Sequence, residues 1–256
     1  MKITTFNPQI FTNNADPIVD LFEGLGFQKR HDQEGIGELN VEGIRMKNDD
    51  GFYLDISFPE FELPRDMVGI RMNVDDFDCA YQLLTDHGFK NVYGNQSVET
   101  PTGRSAMLIS PSGFGINLVY HKKKLLRIGD NPVKITTFNP MILSKNADDI
   151  IDLFEELGFE RRHQVDNIDD KDISSVRMKD ANGFCLDVAR VESMPRDMTT
   201  MRMNVSDFDE AYELLKAHGF KNARGEDHSI DSESARSCLM ISPSGFSIQL
   251  TQHIKK

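Results

Sequence analysis

The sequence predicts an α+β fold, a tandem repeat of four βαβββ units, and three observations support that expectation. The chain repeats itself at long range. Lys2-Ile3-Thr4-Thr5-Phe6-Asn7-Pro8 returns 132 residues later as Lys134-Ile135-Thr136-Thr137-Phe138-Asn139-Pro140, and Ile109-Ser110-Pro111-Ser112-Gly113-Phe114 returns as Ile241-Ser242-Pro243-Ser244-Gly245-Phe246. Leu25-Gly26-Phe27 likewise returns as Leu157-Gly158-Phe159, and Pro64-Arg65-Asp66-Met67 as Pro195-Arg196-Asp197-Met198. A weaker repeat of 62 residues lies inside each half, carrying Gly26-Phe27 onto Gly88-Phe89 and Gly51-Phe52 onto Gly113-Phe114. Finally, each copy sets β-branched and aromatic runs around one stretch of helical period. Self-similarity at a fixed period means one supersecondary unit used repeatedly.

The elements follow in order. Ile3 to Phe11 is rich in β-branched and aromatic residues and reads as a strand. Alternation turns Phe6, Pro8 and Ile10 toward a helix and Asn7, Gln9 and Phe11 to the other face. A helix start signal spans Asn14 to Pro17, and Ile18, Leu21, Phe22 and Leu25 recur on one helical face. Gly26 supplies the left-handed residue that ends this helix. A hairpin around Asn48-Asp49-Asp50-Gly51 leads into a strand from Phe52 to Ser57. The second unit repeats the plan with a strand from Val68 to Val74 and Asp76 as helix cap. Phe77, Ala80, Tyr81 and Leu84 form its buried stripe, and a closing hairpin crosses Pro111-Ser112-Gly113. The expected division is a first domain over 1–123, a linker over 124–133 and a second domain over 134–256. The linker opens on lysines and contains the turn-forming run Gly129-Asp130-Asn131-Pro132.

Composition narrows the function classes. The 256 residues carry a formal net charge of -12, which repels phosphate backbones and anionic membrane surfaces. Neither nucleic acid nor a membrane is therefore an expected partner. Apolar residues make up 39%, enough for a packed core. Cys79, Cys185 and Cys238 are odd in number and lack CxxC spacing, which argues against a disulfide framework or a thiolate metal site. The N-terminal run lacks an apolar signal segment, and a cytoplasmic location is expected.

Three motifs recur in order in both halves: the helix ending Leu25-Gly26-Phe27, the strand-to-helix step Val74-Asp75-Asp76-Phe77, and the turn Ser110-Pro111-Ser112-Gly113 before the last strand. With the 62-residue period, they resemble the vicinal oxygen chelate (VOC) superfamily, which includes glyoxalase I, bleomycin-resistance proteins, extradiol dioxygenases and methylmalonyl-CoA epimerase. The resemblance implies two domains with cup-shaped mixed sheets, helices outside, and ligand in the cup. Metal-dependent members place ligands on the first and last strand of each unit. Those positions fall here on Asn7, Asp55, Gly69 and Asn117, and in the second half on Asn139, Asp187, Thr200 and Gln249. One carboxylate per set is too few for a first-row metal, so neither a metal nor another cofactor is expected.

Arginine is the remaining signal. Arg71 and Arg202 occupy equivalent inward positions, flanked by Asn73 and Asn204. They either clamp an anionic or polar small molecule or pair internally with Asp55 and Asp187. Phe11 and Tyr53 would add stacking surface for an aromatic ligand. The expected function is metal-independent binding of a small molecule, as in bleomycin-resistance proteins. A metal-dependent lyase or isomerase of the glyoxalase type and a non-catalytic interaction scaffold are the alternatives. With four units in one chain, a monomer or loose homodimer is expected. The recurring Pro64-Arg65-Asp66-Met67 reads as a structural turn between units, and His87 and His218 as helix C-terminal residues.

Overall fold

The computed structural model describes residues 1, 3–36, 41–59, 62–94, 97–100, 103–121, 135–165, 173–226, 229–231 and 235–254. The linker expected at 124–133 lies outside them. The first βαβββ module holds β1 (Ile3–Phe11), α1 (Asp16–Gly24), β2 (Gln28–Ile36), β3 (Val41–Lys47) and β4 (Tyr53–Phe58). The second holds β5 (Met67–Val74), α2 (Phe77–Asp86), β6 (Lys90–Asn91), β7 (Val98–Thr100), β8 (Gly103–Ile109) and β9 (Gly115–His121). The third holds β10 (Ile135–Ser144), α3 (Ala147–Glu156), β11 (Phe159–Val165), β12 (Ile173–Asp180) and β13 (Cys185–Val191). The fourth holds β14 (Met198–Val205), α4 (Phe208–Ala217), β15 (Lys221–Asn222), β16 (Ile230–Asp231), β17 (Ala235–Ile241) and β18 (Ser247–His253).

Local chemistry explains the helix boundaries. Asp76 accepts a hydrogen bond from the Cys79 N–H, and Asp207 accepts one from the Glu210 N–H, so α2 and α4 start on side-chain caps. Pro sits in the first turn of α1, where its missing N–H costs nothing. Gly26 ends that helix at φ 84, a conformation that a Cβ would strain. None of the described helices is long and apolar enough to cross a membrane.

Each half of the sequence builds its own mixed sheet. The order is β2-β3-β4-β1-β5-β9-β8-β6 in one, with β7 on β8, and β11-β12-β13-β10-β14-β18-β17-β15 in the other, with β16 on β17. In every module the first and last long strands run parallel: β1 with β4, β5 with β9, β10 with β13, β14 with β18. This is the expected α+β architecture of paired βαβββ units.

The apolar clusters combine the modules differently. The chain divides into two compact units, one of 1–7, 69–125 and 139–199, the other of 8–68, 126–138 and 200–256. In the first unit, the stripes of α2 and α3 are buried with strand residues of the second and third modules, among them Ile70, Met72, Leu118, Ile142 and Val188. In the second, Ile10, Leu54 and Ile56 share a cluster with Met203, Phe208, Leu215 and Leu250 of the fourth module. Fully burying one such side chain is worth about 1.5–3 kcal/mol.

Phe6 illustrates the arrangement. It lies on the helix side of β1 as expected, yet its ring packs on Phe154 and Phe159 of the third module, at 6.0 and 5.0 Å between centroids. Its repeat equivalent Phe138 packs on Phe22 and Phe27 of the first module, at 6.0 and 5.1 Å. A nine-residue strand runs about 30 Å, whereas a nine-residue helix covers about 13 Å. The strand therefore outruns its own helix, and its first aromatic residue finds another.

The recurring Pro-Arg-Asp-Met motif is more than a turn between consecutive modules. In the second unit the Asp66 N–H donates to the Ser244 carbonyl at 2.9 Å, and the stem of Arg65 lies over Gly245, where a Cβ would meet Arg65 Cβ at 3.2 Å. In the first unit the Asp197 N–H donates to the Ser112 carbonyl at 3.3 Å. Each motif thus docks on the Ser-Pro-Ser-Gly turn of the module that shares its core.

Candidate ligand-binding face

Strand alternation separates an apolar face, covered by helices, from a polar one. On β3, Met46 is fully buried in the core, so Arg45 and Lys47 point to the opposite side. On β4, Leu54 and Ile56 enter the core and Tyr53, Asp55 and Ser57 oppose them; on β1, Ile10 enters the core and Gln9 opposes it. The polar face is not washed by solvent, since Asn7, Gln9, Lys47, Asp55 and Ser57 are each less than a tenth exposed.

Register brings the polar residues of the first module together. The β3–β4 hairpin sets Arg45 opposite Asp55 and Lys47 opposite Tyr53, while β1 sets Gln9 beside Asp55. Arg45 Nη2 meets Asp55 Oδ2 at 3.2 Å. The Arg45 guanidinium lies 4.9 Å from the centre of the Tyr53 ring, and the Lys47 ammonium lies 5.2 Å from it. Gln9 Nε2 donates to Ser57 Oγ at 2.6 Å.

The third module repeats the frame with a tighter carboxylate. Asp187 is 1% exposed. Arg177 Nε donates to its Oδ1 at 3.1 Å and Nη2 to its Oδ2 at 2.8 Å, a two-pronged grip, and Asn139 Nδ2 adds a bond to Oδ2 at 2.8 Å. Burial works to lower the Arg177 pKa, but the hydrogen bond and charge of Asp187 outweigh it and hold the guanidinium above its ordinary value. Cys185 takes the place of Tyr53, and Met141 that of Gln9. Burial, with the Asp187 charge adding to it, pushes the Cys185 thiol up against the opposing pull of Arg177.

In the second and fourth modules the arginine sits on the first strand. Arg71 stands beside Asn117 in the β5–β9 register, and its Nε donates to Asn73 Oδ1 at 3.2 Å. Arg202 stands beside Gln249, and its Nε donates to Asn204 Oδ1, also at 3.2 Å. The hairpin positions that hold Arg45 and Arg177 are here Met107 and Leu239. Thr200 Oγ1 donates to the Ser247 carbonyl at 2.8 Å and accepts from Ser247 Oγ at 2.9 Å.

The structure therefore groups Arg71 with Asn73 and Asn117, Asn139 with Asp187, and Arg202 with Asn204 and Gln249. Asn7 is buried on β1. Gln9, Arg45, Lys47 and Arg177 are additions to the expected set. Arg45 was findable: it and Asp55 flank the Asn48–Phe52 turn symmetrically, and both return 132 residues later as Arg177 and Asp187.

This donor set does not fit a transition metal. Both oxygens of Asp187 are taken by Arg177 and Asn139, and a guanidinium at 2.8 Å would oppose a cation at the same carboxylate. The strand neighbours of the last-strand positions are Gln9, Arg71, Met141 and Arg202, which offer no imidazole or carboxylate. Among the described residues, no three His, Cys, Asp or Glu side chains cluster as a metal would need.

Two hollows lie elsewhere, in the first unit. A groove of about 540 Å³ is lined by His87, Phe89, Phe114, Lys145, Arg196 and Asp197, among others, and a smaller one of about 410 Å³ adjoins Pro111. Both are open and lined by few charged groups, whereas the strand face concentrates buried polar ones. His87, at the C-terminal end of α2, meets Glu156 of α3 at 3.2 Å beside the groove.

Comparison with protein-family models and with curated proteins finds no match. Solved structures do match in fold. A Mn(II)-bound glyoxalase from Novosphingobium aromaticivorans aligns over 99% of this chain and 83% of its own, at 16% identity and a TM-score of 0.58. A mutant 4-hydroxymandelate synthase from Streptomyces coelicolor aligns over 96% of this chain and 91% of its own, at 11% identity and a TM-score of 0.59. The 2,2',3-trihydroxybiphenyl 1,2-dioxygenase from Sphingomonas wittichii aligns over all of this chain (100%) and 93% of its own, at 12% identity and a TM-score of 0.58. At such identities the likeness establishes a shared fold.

Proposed function

From a fold shared with the vicinal oxygen chelate proteins, we propose that this chain binds a small polar molecule on the helix-free faces of its sheets, without a metal. The observation that carries the reading is the grip of the half-buried Arg177 on the buried Asp187 and Asn139, in which a guanidinium stands where a cation would have to be held. Buried ionic groups are expensive to keep, and well-packed apolar residues usually serve stability as well or better. Arg71, Asn73 and Asn204 are nonetheless each less than a tenth exposed on the same strand faces. Such sets of fixed donors suit a ligand's carboxylate, phenolate or carbonyl oxygens.

A glyoxalase-type reaction would need a base and an electrophile at one centre. Asp187, gripped by Arg177, is poorly placed to act as that base. Two measurements test the reading. Metal analysis of protein purified without chelator should find far less than one equivalent of manganese, zinc or iron, and added Mn(II) should leave the melting temperature unchanged. A thermal-shift screen of small polar compounds should find one whose effect is lost in Arg71→Met or Arg202→Met. Near-stoichiometric metal lost on Asp55→Ala or Asp187→Ala would overturn the proposal.

A further inference from the structure

The groove beside His87 lies wholly within the first unit, lined by the Ser-Pro-Ser turn of the second module and by the start of α3 and Pro195 to Asp197 of the third. Its volume, about 540 Å³, suits a small molecule. Asp197 lines it and is 6% exposed, and its Oδ2 atom is buried without a hydrogen-bond partner. A carboxylate removed from water normally lies against a cation or N–H donors. Phe89, Phe114, Ile150 and Leu153 add apolar lining, all four from the shared core.

The second unit treats the corresponding place differently. There the stem of Arg65 lies over Gly245, and an added Cβ would meet it at 3.2 Å; at Gly113, an added Cβ would find nothing within 4 Å. Arg196, the equivalent of Arg65, therefore leaves this turn uncovered. The bond that docks the motif is also longer in the first unit, 3.3 Å from the Asp197 N–H to the Ser112 carbonyl against 2.9 Å from Asp66 to Ser244. The uncovered turn is thus a property of one unit and not of the repeated frame.

We propose that this groove binds a small organic ammonium ion, with its N–H donors on Asp197 and its apolar body against Phe114 and Ile150. The ammonium supplies both the donors and the charge that the carboxylate lacks. The torsion that turns an Asp carboxylate is broad and two-fold, so a small rotation presents either oxygen to the groove. A neutral alcohol would leave the Asp197 charge uncompensated, and an anion would be repelled by it. Lys145 and Arg196 also line the groove, but both are exposed, and solvent screens them. The site is apart from the strand faces and does not depend on the binding role proposed for them.

The test uses the full chain with phenethylamine as probe, phenethyl alcohol as its neutral counterpart and phenylacetate as the anion. Binding is read by calorimetry at neutral pH and fixed ionic strength. The amine should bind at least tenfold more tightly than either comparison compound. Asp197→Asn, which keeps the shape and removes the charge, should abolish that preference. Asp66→Asn, at the equivalent place in the second unit, should leave it intact. Without ligand, Asp197→Asn should melt no lower than the parent, because it removes a buried charge that has no partner.

No measurable binding of the amine, equal binding of amine and alcohol, or a preference that survives Asp197→Asn would each overturn the groove site. So would a marked drop in the melting temperature of Asp197→Asn, which would make that carboxylate structural. Amine binding lost in Arg71→Met or Arg202→Met would overturn it too, by placing the probe on the strand faces. The strand-face reading is decided separately, by its own screen and by metal analysis.

Discussion

In the first module Asp55 meets Arg45 through Nη2 at 3.2 Å, and that guanidinium also lies over the Tyr53 ring. In the third module Asp187 receives Arg177 through both Nε and Nη2 and Asn139 through its amide. The two hairpins are copies of one sequence element, with the same turn and the same register. What separates them is the residue opposite the lysine, Tyr53 in one and Cys185 in the other. A ring draws its cations over its face, whereas a small thiol leaves the guanidinium to fork onto the acid. Duplication kept the charge pair, and the two copies diverged in what else the guanidinium touches.

That contrast can be broken most directly at the acids. Asp187→Ala should destabilise the protein by about 3–5 kcal/mol, since it strands a partly buried guanidinium and a buried amide. Asp55→Ala should cost less, about 2–3 kcal/mol, because Arg45 keeps the Tyr53 face. Denaturant unfolding of both variants checks the order, and an equal or reversed cost would show that the two hairpins are energetically alike. A double-mutant cycle sharpens the point. The Arg177–Asp187 coupling should fall near the upper end of the range for interacting pairs, about 3 kcal/mol, and that of Arg45–Asp55 near 1 kcal/mol.

The smallest expected effect is on cysteine reactivity. Burial and the Asp187 charge both hold the Cys185 thiol above its ordinary pKa, and burial pushes Cys238 up to about 12. A raised thiol pKa means that thiolate forms only at higher pH, so alkylation at pH 8 should reach the exposed Cys79 before Cys185, and Cys238 last. Asp187→Asn removes a charge that raises the Cys185 pKa and leaves Arg177, which lowers it. Its alkylation profile should therefore move to lower pH. A profile that stays put would mean the fork does not reach Cys185 electrostatically.

Much of this was legible before any coordinates. The left-handed Gly26, the Asp76 cap and the stripe of Ile18, Leu21 and Phe22 are local signals, set by a few bonds of neighbouring backbone. The hairpin pairing of Arg45 with Asp55 was also legible, because a short turn dictates register. The burial of Lys47 was not. Lysines are almost always exposed, as the equivalent Lys179 is.

The sequence by itself determined four βαβββ modules, their helix faces, their caps and the residues on each strand face, because periodicity and turn chemistry act over a handful of residues. Only the tertiary structure decided that the second and third modules share one core and the first and fourth another. Four related helices present similar apolar stripes, and any of them could cover any module's sheet. The choice rests on long-range matches: Phe6 against Phe154, Phe138 against Phe22, and the Asp66 and Asp197 amides on turns nearly 180 and 85 residues away in the chain.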